Sequence, residues 1–319
     1  MGQTVEIEGA QARRETQLAA LLRAMRPKEW IKNAWIFAAI VFSEGRLWLE
    51  PGSILVILGA FALFCMAASA IYLLNDLVDI EKDRAHPKKR HRPLASGRLS
   101  PQLAAAAAVG LLVLSLPLAF LIDYVTPPGS APDADFGFAL VAYVLIQGIA
   151  YSYYLKHIVI LDIFTIAAGF VLRAVAGAMV LDVAITPWLV MCMGLLALFL
   201  GVSKRRAELE LLQGGAGEHR RILDEYSLPL LDQMTSIIIA ATIIAYALFT
   251  FTAPTLPHEP FPVMMVTVPI VVYAIFRYLY LMQRHGGGGN TADLVLRDRP
   301  LAISIGLWGL ASLVILAVF

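Results

Sequence analysis

The chain has little charge and almost no cysteine. Only 15% of its 319 residues are Asp, Glu, Lys or Arg, 59% are hydrophobic, and mean hydropathy is +0.73. A soluble globular domain carries about 25% charge, so this balance excludes that class and defines an integral membrane protein. The two cysteines, Cys65 and Cys192, both sit inside apolar runs, which excludes a disulfide framework and leaves them as small core residues. The N-terminal "MGQTVEIEGAQARRETQLAALLRAMRPKEW" lacks the apolar core of an export signal, so no cleaved signal is expected. Long polar segments are also missing, and no separate soluble domain is expected.

Long apolar runs are what is abundant. A helix crosses hydrocarbon in about 20 residues. Runs of that kind fall at residues 29–44, 53–76, 101–122, 136–155, 158–181, 186–202, 233–253, 261–281 and 300–319. The expected fold class is therefore all-α, an integral membrane bundle of nine transmembrane helices. Residues 1–28 form a cytoplasmic N-terminal segment, and 29–319 a single domain.

The net charge of +1 hides a strong asymmetry. Six Lys or Arg lie at or before the start of the first run, seven follow the second, one follows the fourth, five follow the sixth and four lie around the end of the eighth. The alternate loops hold only Arg46, and Arg173 lies inside the fifth run. Basic loops stay in the cytoplasm. The N-terminus and all four rich loops are thus expected on that face, with Phe319 outside after an odd number of spans.

The second run ends in "YLLNDLVDIEKDRAHPKKRHRPLASG". If its helix continues past the interface, Asn75, Asp76, Asp79 and Asp83 fall on one face, at spacings of three and four residues. Three close carboxylates repel one another, and the negative end of a helix repels them again. A divalent cation removes both penalties, and oxygen-only ligands at a wet interface suit Mg²⁺. The alternative is a solvated helix end paired with Lys82 and Arg84. Then come Arg84, Lys88, Lys89, Arg90 and Arg92, which could anchor lipid headgroups. Interleaved with acids, however, they suit phosphate better, since guanidinium groups take phosphate oxygens in pairs.

Other loops on the same face carry matching chemistry. "AYSYYLKHIVILDIF" places Tyr151, Lys156 and His157 at the interface and Asp162 just inside the fifth run. Asp162 and Arg173 are spaced by about three turns and share a face; ionisable groups within a span default to functional roles, with pairing to another helix as the alternative. After the sixth run, "GVSKRRAELELL" puts Glu208 one turn from Lys204 and Arg205. The following "QGGAGEHRRILDEYS" suits a lid, and "RHGGGGNTADLVLRDRPL" supplies a glycine hinge with Asp293, Arg297, Asp298 and Arg299.

"NDLVDIEKD" resembles the first aspartate-rich motif of the UbiA-type prenyltransferase superfamily, and "RPKEW" fits it too, over nearly the whole chain. The resemblance implies a nine-helix bundle that uses Mg²⁺ to handle a diphosphate above a lipid-accessible cavity. Typical aromatic prenyltransferases of that superfamily carry a second aspartate-rich motif after the sixth helix; here the position reads "GVSKRRAELE". With "RPKEWIKN", "FVLRAVAGA" and "LRDRPL", the chain is similar to the decaprenyl-phosphate phosphoribosyltransferase branch. There the lipid carries one phosphate and is the acceptor, and phosphoribosyl pyrophosphate is the donor.

That resemblance implies the following roles. Asp76, Asp79 and Asp83 are catalytic, and with Asn75 they hold Mg²⁺ against the pyrophosphate. Arg84, Lys88, Lys89, Arg90 and Arg92 hold donor phosphates. Lys156, Arg173, Lys204 and Arg205 hold the acceptor phosphate or the ribose 5-phosphate, while Lys28, Lys32, Tyr151, Asp162, Asn75 and Glu208 complete the substrate contacts. The implied product, polyprenyl-phosphoryl 5-phosphoribose, feeds cell-wall arabinan precursors. The setting is the cell membrane, with the site on the cytoplasmic face. No nucleic-acid partner is expected, and homo-oligomerisation stays open.

Two other functions stay open. A prenyl diphosphate transferase acting on an aromatic acceptor predicts a second carboxylate cluster after the sixth run. A transporter or lipid-binding protein predicts charge along the spans or paired broken helices. A soluble-type phosphoribosyltransferase is excluded by the absence of a strand-rich domain.

Overall fold

The computed structural model describes residues 16–87, 89–123, 134–184, 186–213, 221–259, 261–284 and 298–318, and every regular element among them is helical. Lys88, Asp293, Arg297, Phe319, the glycine hinge and residues 214–220 of the expected lid lie outside the described residues.

Helix α1 (Gln17–Ala24) is the first element among the described residues, capped by Thr16, whose hydroxyl accepts from Ala19 N at 3.2 Å. After it come a 3₁₀ helix, Pro27–Phe37, and the short α2, Ala38–Phe42. Helix α3 (Pro51–Val78) begins with proline at its first turn, where a missing N–H costs nothing. The short α4 (Ile80–Ala85) leads to α5 (Pro101–Ile122), capped by Ser100. Next come α6 (Asp135–Tyr153), α7 (Leu161–Met179) and α8 (Pro187–Gln213). The chain closes with α9 (Leu228–Thr252), α10 (Val268–Arg284) and α11 (Arg299–Val318).

Eight of these helices are long and apolar enough to cross a membrane, where nine were expected. The difference lies at residues 29–44. There the chain is mostly 3₁₀, eleven residues long, followed by five α-helical ones. At rises of about 2.0 and 1.5 Å per residue, such a segment still covers roughly 30 Å, a hydrocarbon thickness. Its slim backbone lies against α7 so closely that a Cβ on Gly177 would stand 2.1 Å from the Ile36 carbonyl oxygen. Only glycine fits there.

Helices α3 and α7 are central, with 61% and 56% of their apolar windows buried inside the protein, against 17% for α5. One core joins the 3₁₀ helix, α3, α6 and α7 around Ile36, Phe64 and Leu140; a second joins α7 through α11 around Ile163, Phe199 and Leu231. Because α7 belongs to both, it fixes the two halves of the bundle relative to each other. Helix α6 is interrupted by a π-helical stretch at Val144–Ala150, which places Gln147 Nε2 2.6 Å from the Thr165 carbonyl across Gly169.

Candidate active site

Three arginine-centred clusters gather where α3, the 3₁₀ helix, α7 and α8 approach one another. The first is built around Asp76, 2% exposed near the end of α3. Arg26 Nη2 donates to Asp76 Oδ1 at 2.5 Å, and Arg92 Nη1 donates to the same oxygen at 3.1 Å and to Asp83 Oδ2 at 2.7 Å. A single guanidinium nitrogen thus spans two buried carboxylates.

Local structure puts each member there. The expected continuous helix breaks at Asp79, whose φ of −94° and ψ of 9° end α3 and let α4 start in a new direction. Asp83 therefore comes to Asp76 from a separate short helix. Asp79 itself is a third exposed and, among the described residues, pairs with Lys82 at 3.6 Å. Arg92 is fixed from below: the next residues, Pro93 and Leu94, are buried, and Leu94 and Leu99 pack with Ala20 and Ala24 of α1 and Ala104 and Ala108 of α5. Arg26 sits at φ 57°, a left-handed conformation rare for a side-chain-bearing residue. The turn is pinned by Ser69 of α3, whose hydroxyl shares its proton between the Cys65 carbonyl at 2.7 Å and the Met25 carbonyl at 3.2 Å and accepts from Trp30 Nε1 at 3.0 Å. "RPKEW" is thus a clamp on α3, and it aims Arg26 across the Tyr72 ring, 4.8 Å away, onto Asp76.

The second cluster joins α7 to α8. Arg205, 1% exposed, donates through Nε to Asp162 Oδ2 at 2.6 Å and through Nη1 to Glu208. Tyr226 donates its hydroxyl proton to Asp162 Oδ1 at 2.7 Å and accepts from Ile160 N at 2.7 Å. Ile160 has φ 71°, a strained position for a β-branched residue, held by that hydroxyl. Burial, reinforced by the Asp162 hydrogen bond, pushes the Tyr226 phenol above the usual tyrosine range.

Arg173 forms the third cluster, deeper in the bundle and 6% exposed. Its Nε donates to Asn33 Oδ1 at 2.6 Å, Nη1 to the Gly169 carbonyl at 2.6 Å and Nη2 to the Tyr143 hydroxyl at 2.8 Å; the guanidinium also lies 4.6 Å from the Tyr143 ring centre. Asp162 and Arg173 lie on one helix yet do not meet: Asp162 pairs with Arg205 of α8 and with Tyr226, and Arg173 with Asn33, Tyr143 and the Gly169 carbonyl of its own helix.

The remaining predicted site residues line the same region. Lys28 and Lys32 are exposed on the 3₁₀ helix, with Lys32 paired to Glu29. Lys204 is exposed on α8. Tyr151, near the end of α6, and Lys156, on the short turn after it, are both half-buried. Asn75 is half-buried beside Asp76. Arg84 donates to Glu81 at 2.7 Å and to the Ala95 carbonyl at 3.3 Å, while Lys89 and Arg90 lie on a short turn beside Arg92.

Among the described residues, no three His, Cys, Asp or Glu side chains form a metal cage. The donor set nevertheless fits Mg²⁺. Asp76 and Asp83 present hard oxygens to one shared cationic nitrogen, and Mg²⁺ typically takes one or two carboxylates together with substrate phosphates and water.

The sequence reading missed Arg26, Asn33, Tyr143 and Tyr226. Only Arg26 had a local signal, its place before Pro27 in "RPKEW". The others depend on tertiary contacts 30 to 140 residues apart in sequence.

These features define a class first: a polytopic helical membrane protein with a clustered arginine–carboxylate site at one end of its bundle. Residues 34–292 match the UbiA prenyltransferase family, and the chain belongs to that family. It is 32% identical over 300 residues to a decaprenyl-phosphate phosphoribosyltransferase of Mycolicibacterium smegmatis, covering 91% of this chain and 90% of that protein. It is 31% identical over 288 residues to the protein of the same name in Corynebacterium glutamicum, covering 90% and 84%. Among solved structures, a UbiA homolog from Archaeoglobus fulgidus bound to GPP and Mg²⁺ superposes with a TM-score of 0.66 at 18% identity, over 94% of this chain and all of that one. That likeness shows the fold.

Proposed function

We propose that this protein transfers the 5-phosphoribosyl group of phosphoribosyl pyrophosphate to a polyprenyl monophosphate such as decaprenyl phosphate. The observation that carries the reading is the unequal placement of charge. Asp76 of α3 and Asp83 of α4 stand where they can share a cation, whereas the α8 carboxylates Glu208 and Glu210 are engaged by Arg205 and Arg206 beside the exposed Lys204. Full-length similarity to proteins named for this reaction supports it. A prenyl diphosphate transferase with an aromatic acceptor has no such support on the α8 side.

Asn75, Asp76, Asp79 and Asp83 hold Mg²⁺ in this reading, with Arg84, Lys88, Lys89, Arg90 and Arg92 around the donor phosphates. The bound cation supplies positive charge to the pyrophosphate as it leaves. The C1–O bond of the ribose breaks, its electron pair goes to pyrophosphate, and an oxygen of the polyprenyl phosphate forms the new bond to C1. That oxygen is already ionised near neutral pH, so no general base is required.

Burial revises the roles on the other side. Arg205, Asp162 and Glu208 satisfy one another, and Arg173 spends its donors on Asn33, Gly169 and Tyr143, so these groups brace the site. Contacts to the acceptor phosphate and ribose 5-phosphate fall to Lys28, Lys32, Lys156, Lys204 and Tyr151. The loops that carry these groups face the cytoplasm, the N-terminus lies there, and the product enters cell-wall arabinan synthesis.

The test uses purified protein with Mg²⁺, ribose-labelled phosphoribosyl pyrophosphate and polyprenyl monophosphate. Label passing into the organic phase is the expected result. Label staying in water, alongside prenyl transfer from a polyprenyl diphosphate, contradicts the reading.

A further inference from the structure

Among the described residues three arginines each span a pair of carboxylates, and Arg92 is the most open of them; Arg206, between Glu210 and Asp232, is 10% exposed. Arg205, between Asp162 and Glu208, is sealed at 1% exposure, whereas Arg92, between Asp76 and Asp83, keeps 30% of its side chain in contact with solvent. The sealed pair is permanent. The open one can exchange partners.

We propose that Arg92 is a displaceable occupant of the position between Asp76 and Asp83, and that it yields this position only when a pyrophosphate group offers it a new partner. This rests on the metal-site reading above. Without phosphate, Asp76 already faces two cations, Arg26 at 2.5 Å and Arg92 at 3.1 Å, and Asp83 faces Arg92 at 2.7 Å. A divalent ion arriving alone must displace a guanidinium that has nowhere comparable to go, and it meets the repulsion of Arg26 as well. A pyrophosphate arriving with the metal takes Arg92 bidentately, along with Lys89 and Arg90 on the adjoining turn. Metal and diphosphate therefore bind as a coupled pair. The fixed loop supports the exchange: with Pro93 and Leu94 buried beneath it, the Arg92 side chain turns while its backbone stays in place.

Mn²⁺ binding, followed by electron paramagnetic resonance on detergent-purified protein without acceptor, tests this apart from turnover. Wild-type protein is expected to bind Mn²⁺ about tenfold more tightly with pyrophosphate present, after subtraction of the protein-free Mn²⁺–pyrophosphate complex. Arg92→Gln is expected to bind Mn²⁺ alone about tenfold more tightly than wild type and to lose the enhancement. Equal wild-type affinity with and without pyrophosphate overturns the proposal even if the variant fails to fold. So does an Arg92→Gln protein that binds like wild type. No Mn²⁺ binding under any condition defeats the metal site itself, and with it this inference.

Discussion

Arg205 Nε and Asp162 Oδ2 meet at 2.6 Å inside the protein, at 1% and 0% side-chain exposure. Removing one partner of a buried pair leaves an uncompensated charge and costs about 3–5 kcal/mol, while replacing both with apolar residues is far milder. Asp162→Ala should therefore lower the melting temperature in detergent more than the double change Asp162→Leu with Arg205→Met. An equal or larger loss in the double variant contradicts a bracing role.

Gly177 offers a backbone test. A methyl group there collides with the Ile36 carbonyl, and the 3₁₀ helix must move away from α7. Gly177→Ala is expected to abolish or strongly reduce folded protein, judged by size-exclusion profile. Gly110→Ala, with open space around its Cβ, should gain about 0.5–1 kcal/mol.

Tyr226 couples alkaline pH to stability. Its phenol is raised in the folded state, so the folded protein keeps a proton that the unfolded chain gives up near pH 10. Its contribution is complete below that value and is lost as pH climbs above it. Tyr226→Phe should lower stability by about 1–2 kcal/mol at pH 7 and soften the alkaline decline in a pH series of thermal melts.

At the first cluster, Asp76→Asn and Asp83→Asn should each lower turnover by at least about a hundredfold, because indirect partners of metal ligands alone account for 10–100-fold. Asp79→Asn is expected to abolish metal-dependent turnover with the fold intact, shown by an unchanged melting temperature. Chelation should have the same effect, reversed by Mg²⁺. Normal turnover in Asp79→Asn would return that residue to a role in ending α3.

Much of this was legible in the sequence, and the boundary is physical. Long apolar runs and basic loops mark eight spans because burial and topology act on residues close in sequence. The break at Asp79 carries no proline or glycine to announce it. The 3₁₀ geometry of Pro27–Phe37 follows from a tight approach to Gly177, which no periodicity encodes. Acids and bases of the α3 end were readable as a group, but Arg92 lying between Asp76 and Asp83 depends on how the loop folds back under α1. Arg173 showed itself as an isolated charge in a span. Its partners Asn33 and Tyr143 became evident only when three helices met.

The most direct test of phosphoribosyl transfer follows two labels in one donor. Phosphoribosyl pyrophosphate carrying ¹⁴C in the ribose and ³²P at the β-phosphate is incubated with protein, Mg²⁺ and polyprenyl monophosphate. Cleavage of the C1–O bond sends ¹⁴C into the lipid and ³²P into free pyrophosphate in equal amounts. ³²P in the lipid, or neither label there, contradicts the account.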